Sequence, residues 1–212
     1  RYVKQLLSSD FEVFPKIGTE IETSILGKIY KHKTLLNEYE SKNSNNVVYY
    51  HGAARYWLKA TNFIPMFLNE KKGTTRSSEW KEIHFKSEVN EDGIICLINS
   101  SLFFWYWILM SDERHFAKRD ILSFPYNVEG FKKFETEFER LSKELMESYQ
   151  NNSVEKVINT SQGQTKYQEF YPRLSKPVLD EIDRLIGNIY GFSDEEVEFI
   201  INDAIRFRMG EE

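Results

Sequence analysis

Cysteine is nearly absent: Cys96 is the only one in the chain. A lone thiol excludes a disulfide framework and any all-cysteine zinc site, and it fits a reducing, cytoplasmic compartment. Long apolar runs are also missing. The longest, Leu102–Met110, is half of the roughly 18 residues that a membrane span requires, so no membrane partner is expected. No two glycines stand two residues apart, which leaves no G-x-G loop for a dinucleotide or for S-adenosylmethionine, and no Walker loop either. His32, His51, His84 and His115 are scattered, with no H-x-x-x-H pair to suggest a zinc site or a catalytic dyad. There is no signal peptide, and the chain opens at Arg1 without an initiator Met, so a longer parent is expected.

What is present is enough for a folded core. The 212 residues are 41% hydrophobic and 15% aromatic, which suits one medium domain or two small ones and argues against disorder. The net charge of −5 is unevenly spread. Residues 1–128 hold 17 Lys and Arg against 15 Asp and Glu, a surplus of two cations. Residues 129–212 hold 11 against 18, a deficit of seven. An anionic ligand would therefore meet the first part sooner.

Periodicity gives a mixed beginning and a helical end. Thr19 and Glu22 form a capping-box pattern, followed by Ile21, Ile25 and Ile29 on one helix face running to about His32. Ser41–Asn46 reads as a loop. Val47–His51, Arg55–Lys59 and Phe63–Phe67 read as short strands, and Glu82–Val89 alternates as a strand should. Glu91-Asp92-Gly93 then reads as a turn and Ile94–Ile98 as a buried strand. Asn99 or Ser100 can cap a helix over Leu102–Met110 that is apolar all round and therefore buried. A long amphipathic helix carries Phe131, Phe134, Phe138, Leu141, Leu145 and Tyr149, and the polar stretch 151–165 reads as a linker or mobile loop. Two further helices follow. One presents Val178, Ile182, Leu185 and Ile189. The other is capped by Ser193 with Glu196 and presents Val197, Ile200, Ile201 and Ile205, after a tight turn at Tyr190-Gly191-Phe192.

Three basic clusters are candidates for binding. Lys71, Lys72, Thr74, Thr75, Arg76, Ser77 and Ser78 surround Gly73. Lys and Arg suit phosphate oxygens, Arg can fork onto guanine, and hydroxyls serve either. The plain reading of the same loop is a solvated hairpin. Arg55 and Lys59 flank Tyr56 and Trp57, whose rings could equally be core. Arg114, His115, Lys118 and Arg119 form the third cluster, or simply a charged helix surface. Glu79-Trp80-Lys81 matches the E-x-K of metal-dependent nucleases. It lacks the upstream Asp such a site needs, since none lies between Asp10 and Asp92, and Glu40-Ser41-Lys42 and Glu70-Lys71-Lys72 match the same pattern.

Several phrases then stand in a familiar order: Phe14-Pro15-Lys16-Ile17-Gly18, Val48-Tyr49-Tyr50 before Arg55-Tyr56-Trp57, Asn99-Ser100-Ser101-Leu102-Phe103 running to Ser111-Asp112-Glu113-Arg114-His115, and Asp120-Ile121 before Phe124-Pro125. Ser175-Lys176-Pro177, Glu181-Ile182-Asp183, Tyr190-Gly191-Phe192 and Glu198-Phe199-Ile200-Ile201 complete the series. Over nearly its whole length the chain resembles the C-terminal half of adenine-N6 DNA methyltransferases of bacterial restriction–modification systems. These include type II restriction enzymes that fuse nuclease, methylase and specificity parts.

The resemblance implies a target recognition domain that grips double-stranded DNA, while a missing N-terminal domain binds S-adenosylmethionine and methylates a flipped adenine through an Asn-Pro-Pro-Tyr type motif. The chain has no Asn-Pro and no Pro-Pro. No catalytic, cofactor or metal residue is therefore assigned to it, and it is expected to be inactive alone. The expected fold is α+β: a twisted, mostly antiparallel sheet with a buried aromatic helix in a recognition core over 1–128, then a helical part over 129–212. The expected partners are duplex DNA and the methyltransferase domain. The DNA-binding candidates are Arg55, Lys59, Lys71, Lys72, Thr74, Thr75, Arg76, Ser77, Ser78, Arg114, His115 and Arg119. A metal-dependent nuclease using Glu79 and Lys81, or a protein-interaction module docking through its acidic helices, are the alternatives.

Overall fold

The computed structural model describes residues 16–73, 75–111, 115–160 and 163–210. Helix α1 (Glu20–Ile29) starts at the expected capping box: Thr19 Oγ1 accepts from the Glu22 amide, and the Glu22 carboxylate accepts from the Thr19 amide at 2.8 Å. Its buried residues are Ile25, Leu26 and Ile29. A 3-10 turn (Leu36–Tyr39) and a loop lead to β1 (Val47–His51), β2 (Ala60–Thr61), β3 (Phe67–Asn69) and β4 (Trp80–His84).

These strands differ in part from the expectation. Arg55–Lys59 is irregular, because Trp57 and Leu58 are both buried and the chain pairs with β1 only from Ala60 onward. Pro65, which has no N–H to give a ladder, precedes a strand confined to Phe67–Asn69. The alternation around β4 is as expected, with Ile83 and Phe85 buried, but the strand runs from Trp80 only to His84, and a turn closed by the Val89 amide on the Lys86 carbonyl takes the place of its expected end.

The expected strand Ile94–Ile98 is instead part of helix α2 (Glu91–Asn99). Asn90 caps it, its Oδ1 accepting from the Asp92 and Gly93 amides. A five-residue apolar run has too little periodicity to separate a buried strand from a buried helix, and here the cap decides. Ser100 caps helix α3 (Ser101–Met110), which is apolar all round and almost wholly buried. Among the described residues no single helix is long and apolar enough to cross a membrane. Helices α2 and α3 pass that test only as a pair bent by 66°.

Helix α4 (Lys118–Leu122) precedes a helix that breaks at Phe134 into α5 (Val128–Lys133) and α6 (Glu135–Asn151), where one continuous helix was expected. Phe131 and Phe138 stack across the break at 4.8 Å. The expected mobile loop 151–165 is in fact occupied by a hairpin of β5 (Val154–Thr160) and β6 (Gly163–Glu169). Helices α7 (Lys176–Tyr190), α8 (Asp194–Asn202) and α9 (Ile205–Met209) complete the chain. Gly191 ends α7 in the left-handed region at φ 70°, and Ser193 with Glu196 boxes the start of α8. The Glu196 carboxylate also holds Lys28 and Ser24 of α1. The buried face of α7 is Leu179, Ile182 and Ile186, with Val178, Leu185 and Ile189 at its margin.

The fold is α+β, with two three-stranded antiparallel sheets ordered β2-β1-β4 and β3-β6-β5. One hydrophobic cluster joins them, running from Ile25 through the α2–α3 pair to Ile200. Within it, Asn99 acts as a polar rivet. Its side chain exchanges hydrogen bonds with both backbone groups of Ala60 on β2 and accepts from the Tyr149 hydroxyl on α6 at 2.8 Å. All of these groups are buried, so each bond also satisfies a group that water cannot reach.

Candidate nucleic-acid interface

Gly52, just after β1, is a junction. Its N–H donates to the Glu79 carbonyl at 2.8 Å and its own carbonyl accepts from the Phe116 N–H at 3.1 Å. A Cβ here would stand 3.2 Å from Lys81 Nζ and 3.3 Å from its Cε, the movable end of an exposed side chain. Two backbone bonds thus bring three separate segments to one end of the first sheet. They are the 53–59 loop with Arg55 and Lys59, the end of the 70–79 loop, and the 115–119 segment with His115 and Arg119. Each segment belongs to one of the basic clusters of the sequence, but the cations that come with them are Arg55, Lys59, His115 and Arg119, whereas Lys71, Lys72 and Arg76 lie further along the 70–79 loop.

The 70–79 loop is not a hairpin. Its flanking strands β3 and β4 belong to different sheets, so the loop bridges the two. Its first half lies against the tip of the β5–β6 hairpin. The Glu70 amide donates to the Gln164 carbonyl, and the Lys72 amide donates to Asn69 Oδ1. Lys71 and Lys72 are exposed there. Arg76 turns the other way, onto the first sheet. Its guanidinium donates to Glu82 at 2.7 Å and lies 5.7 Å from the centre of the Tyr49 ring. The Arg76 guanidinium beside it holds the Glu82 carboxyl below its usual range. Thr75 and Ser78 are exposed, and the Ser77 hydroxyl accepts from the Glu79 amide. Thr74 and Arg114 lie outside the described residues. His115 is exposed, and Arg119 is 80% exposed beside Asp120.

Next to this junction a cleft of about 660 Å³ opens between the two sheets and the C-terminal segment. Of the expected residues, Arg55, Lys59 and Ser77 line it. The lysines of the 70–79 loop, Arg76, His115 and Arg119 do not. Its walls are largely aromatic: Tyr56 and Trp57 from the 53–59 loop, Trp80 from β4, Phe67 and Tyr167 from the second sheet, and Phe207 from α9. Pairing of β3 with β6 sets Phe67 opposite Tyr167, and the period of two keeps Ile158, Tyr167 and Glu169 on one face.

The polar groups of the cleft are perturbed by burial. Burial pushes the Lys59 ammonium below its ordinary range, against the pull of Glu169, and it does the same to His51, with Lys59 adding repulsion. Glu79 and Glu169 supply acceptors, and Arg173 a further cation. Tyr167, Glu169, Arg173 and Phe207 were not among the expected site residues. The usable signal was the alternation of Thr165, Tyr167 and Glu169. Among the described residues, no group of three or more His, Cys, Asp and Glu stands together as a metal site.

No protein-family model, no curated protein and no solved structure matches the chain.

Proposed function

We propose that this chain reads double-stranded DNA by sequence, as the target recognition region of a larger adenine-N6 methyltransferase or restriction–modification enzyme. The observation that supports the reading is the Gly52 junction, where backbone bonds to Glu79 and Phe116 bring the segments that carry Arg55, Lys59, His115 and Arg119 to one end of a sheet. Exposed Lys71, Lys72 and Arg119 suit phosphates. Arg76, with its planar fork half-exposed on Glu82, suits a guanine edge. The chain holds no glycine-rich loop, so S-adenosylmethionine and the methyl transfer would belong to a separate catalytic domain of the parent.

Contact with that domain has its own candidate surface. Val154 and Val157 are exposed on β5, the outer strand of its sheet, and apolar residues on an outer strand favour a protein neighbour. The test of the main reading is a binding titration on a duplex at two salt concentrations. Tight, salt-sensitive binding supports it, and the absence of binding at low salt refutes it.

A further inference from the structure

We infer that the aromatic cleft beside the Gly52 junction seats a single unstacked nucleotide of the bound DNA, its base against Tyr56 and Phe207 and its phosphate near Arg55. The inference rests on the proposed DNA reading and names what that surface does with one nucleotide.

Size comes first. At about 660 Å³ the cleft falls within the roughly 300–1,000 Å³ of pockets that hold compact ligands, which admits a nucleotide but not a duplex. Its chemistry comes second. Tyr56 is 53% exposed and Phe207 66% exposed, and both line the cleft. Aromatic faces left to water are what a base stacks on, whatever its identity. Around them stand donors and acceptors of both kinds: Arg55 and Lys59 for phosphate or ring acceptors, and Glu169 for an exocyclic amine. A purely apolar ligand would leave Lys59 without a partner of opposite charge other than Glu169, whereas a nucleotide brings its own anion. Place comes third. Arg55 and Ser77 belong both to the cleft lining and to the segments that meet at Gly52, so a duplex held at that junction would lie beside the cleft.

The test compares two duplexes of one sequence, one fully paired and one carrying a single bulged adenine. A bulge has already lost its pairing and much of its stacking, so the bulged duplex is expected to bind about tenfold more tightly or better. Tyr56→Ala/Phe207→Ala, two exposed positions, is expected to bind both duplexes alike while melting as the wild type does. Equal affinities in the wild type would overturn the inference and leave the DNA reading intact. A bulge preference that survives in the double variant would also overturn it, since the protein would then be reading only the flexibility of bulged DNA. If neither duplex binds, the DNA reading fails, and adenosine monophosphate decides about the cleft. Saturable quenching of Trp57 and Trp80 fluorescence, lost in the double variant, upholds a nucleotide seat. No quenching overturns it.

Discussion

Trp57 and Arg208 hold each other twice: the indole Nε1 donates to the Arg208 carbonyl at 2.9 Å, and the guanidinium carbon lies 4.0 Å over the same ring. Arg208 Nε also donates to the Tyr56 carbonyl, so helix α9 fastens the loop that presents Arg55 and Tyr56 to the cleft. Ala204, left-handed at φ 50°, starts that short helix, and Arg173 donates to the Met209 carbonyl at its end. Removing the ring should therefore loosen the hold of α9 on the 53–59 loop as well as the core. Trp57→Ala is expected to cost about 3–5 kcal/mol. Trp57→Phe, which keeps a ring and loses the donor, should cost roughly 1 kcal/mol. Urea unfolding read by far-UV circular dichroism measures both. Near-equal losses would mean that the hydrogen bond dominates.

Asp183 gives the fold a defined pH response. Burial pushes its carboxyl up to about 6, against the Ser101 hydroxyl, the Leu102 amide and the Arg208 charge. In the unfolded chain the same group titrates near about 3.9. The native state therefore holds this proton more tightly, and its contribution is complete below about pH 4 and is lost as the pH rises through about 6. Asp183→Asn cannot titrate. The fall in melting temperature between pH 4.5 and pH 7.5 should be smaller in that variant than in the wild type, the other groups cancelling in the comparison. An identical fall would show that Asp183 ionises freely in the native protein.

Gly187 is needed because α7 and α8 cross closely. A Cβ there would stand 2.6 Å from the Val197 methyl, a branched side chain that cannot swing away. Gly187→Ala should therefore lower stability by about 1–3 kcal/mol despite the gain in helix propensity. In the background of Val197→Ala the same change should become nearly neutral, a non-additivity that thermal melts of the four proteins would show. Ile182→Ala, on the same helix with no exposed surface, should cost roughly 2–4 kcal/mol. A melt unchanged by Ile182→Ala would make the C-terminal helices a detached arm.

If Arg76 meets DNA as proposed, Glu82 is its competitor within the chain. Glu82→Gln removes an anion and frees the fork, and it should raise duplex affinity by no more than about fivefold, in line with the roughly 0.2–1 kcal/mol of an exposed ion pair. Arg76→Ala should act in the opposite direction. Titrations in which neither variant differs from the wild type would take the 70–79 loop off the DNA surface.

How far the sequence reached depends on how local each signal is. The boxes at Thr19–Glu22 and Ser193–Glu196, the all-apolar α3 and the Gly191 turn involve residues within four positions of each other, and each appears where expected. Ile94–Ile98 carries no such signal, because burial on every side erases periodicity. The β5–β6 hairpin gives little signal because Val154, Val157 and Ile158 are scattered among Glu, Lys, Asn and Gln without a period of two, so its strands are defined by pairing. The same non-locality hides the site. Arg55 and Lys59 were legible as a basic-aromatic phrase, but Tyr167, Arg173 and Phe207 join them only through the β3–β6 pairing and the fastening of α9 at Trp57.

The central claim is that the exposed cations of the 70–79 loop and of the 115–119 segment bind duplex DNA. Fluorescence anisotropy of a labelled duplex, with the wild type and a Lys71→Ala/Lys72→Ala/Arg119→Ala variant at low and moderate salt, tests it most directly. The three positions are exposed, so the variant should fold normally. The account predicts wild-type binding that weakens steeply with salt, and a variant that binds less tightly with a salt slope lower by roughly two to three units, about one for each phosphate contact removed. Wild-type binding that is absent, or that is the same in the variant at both salt concentrations, would contradict it.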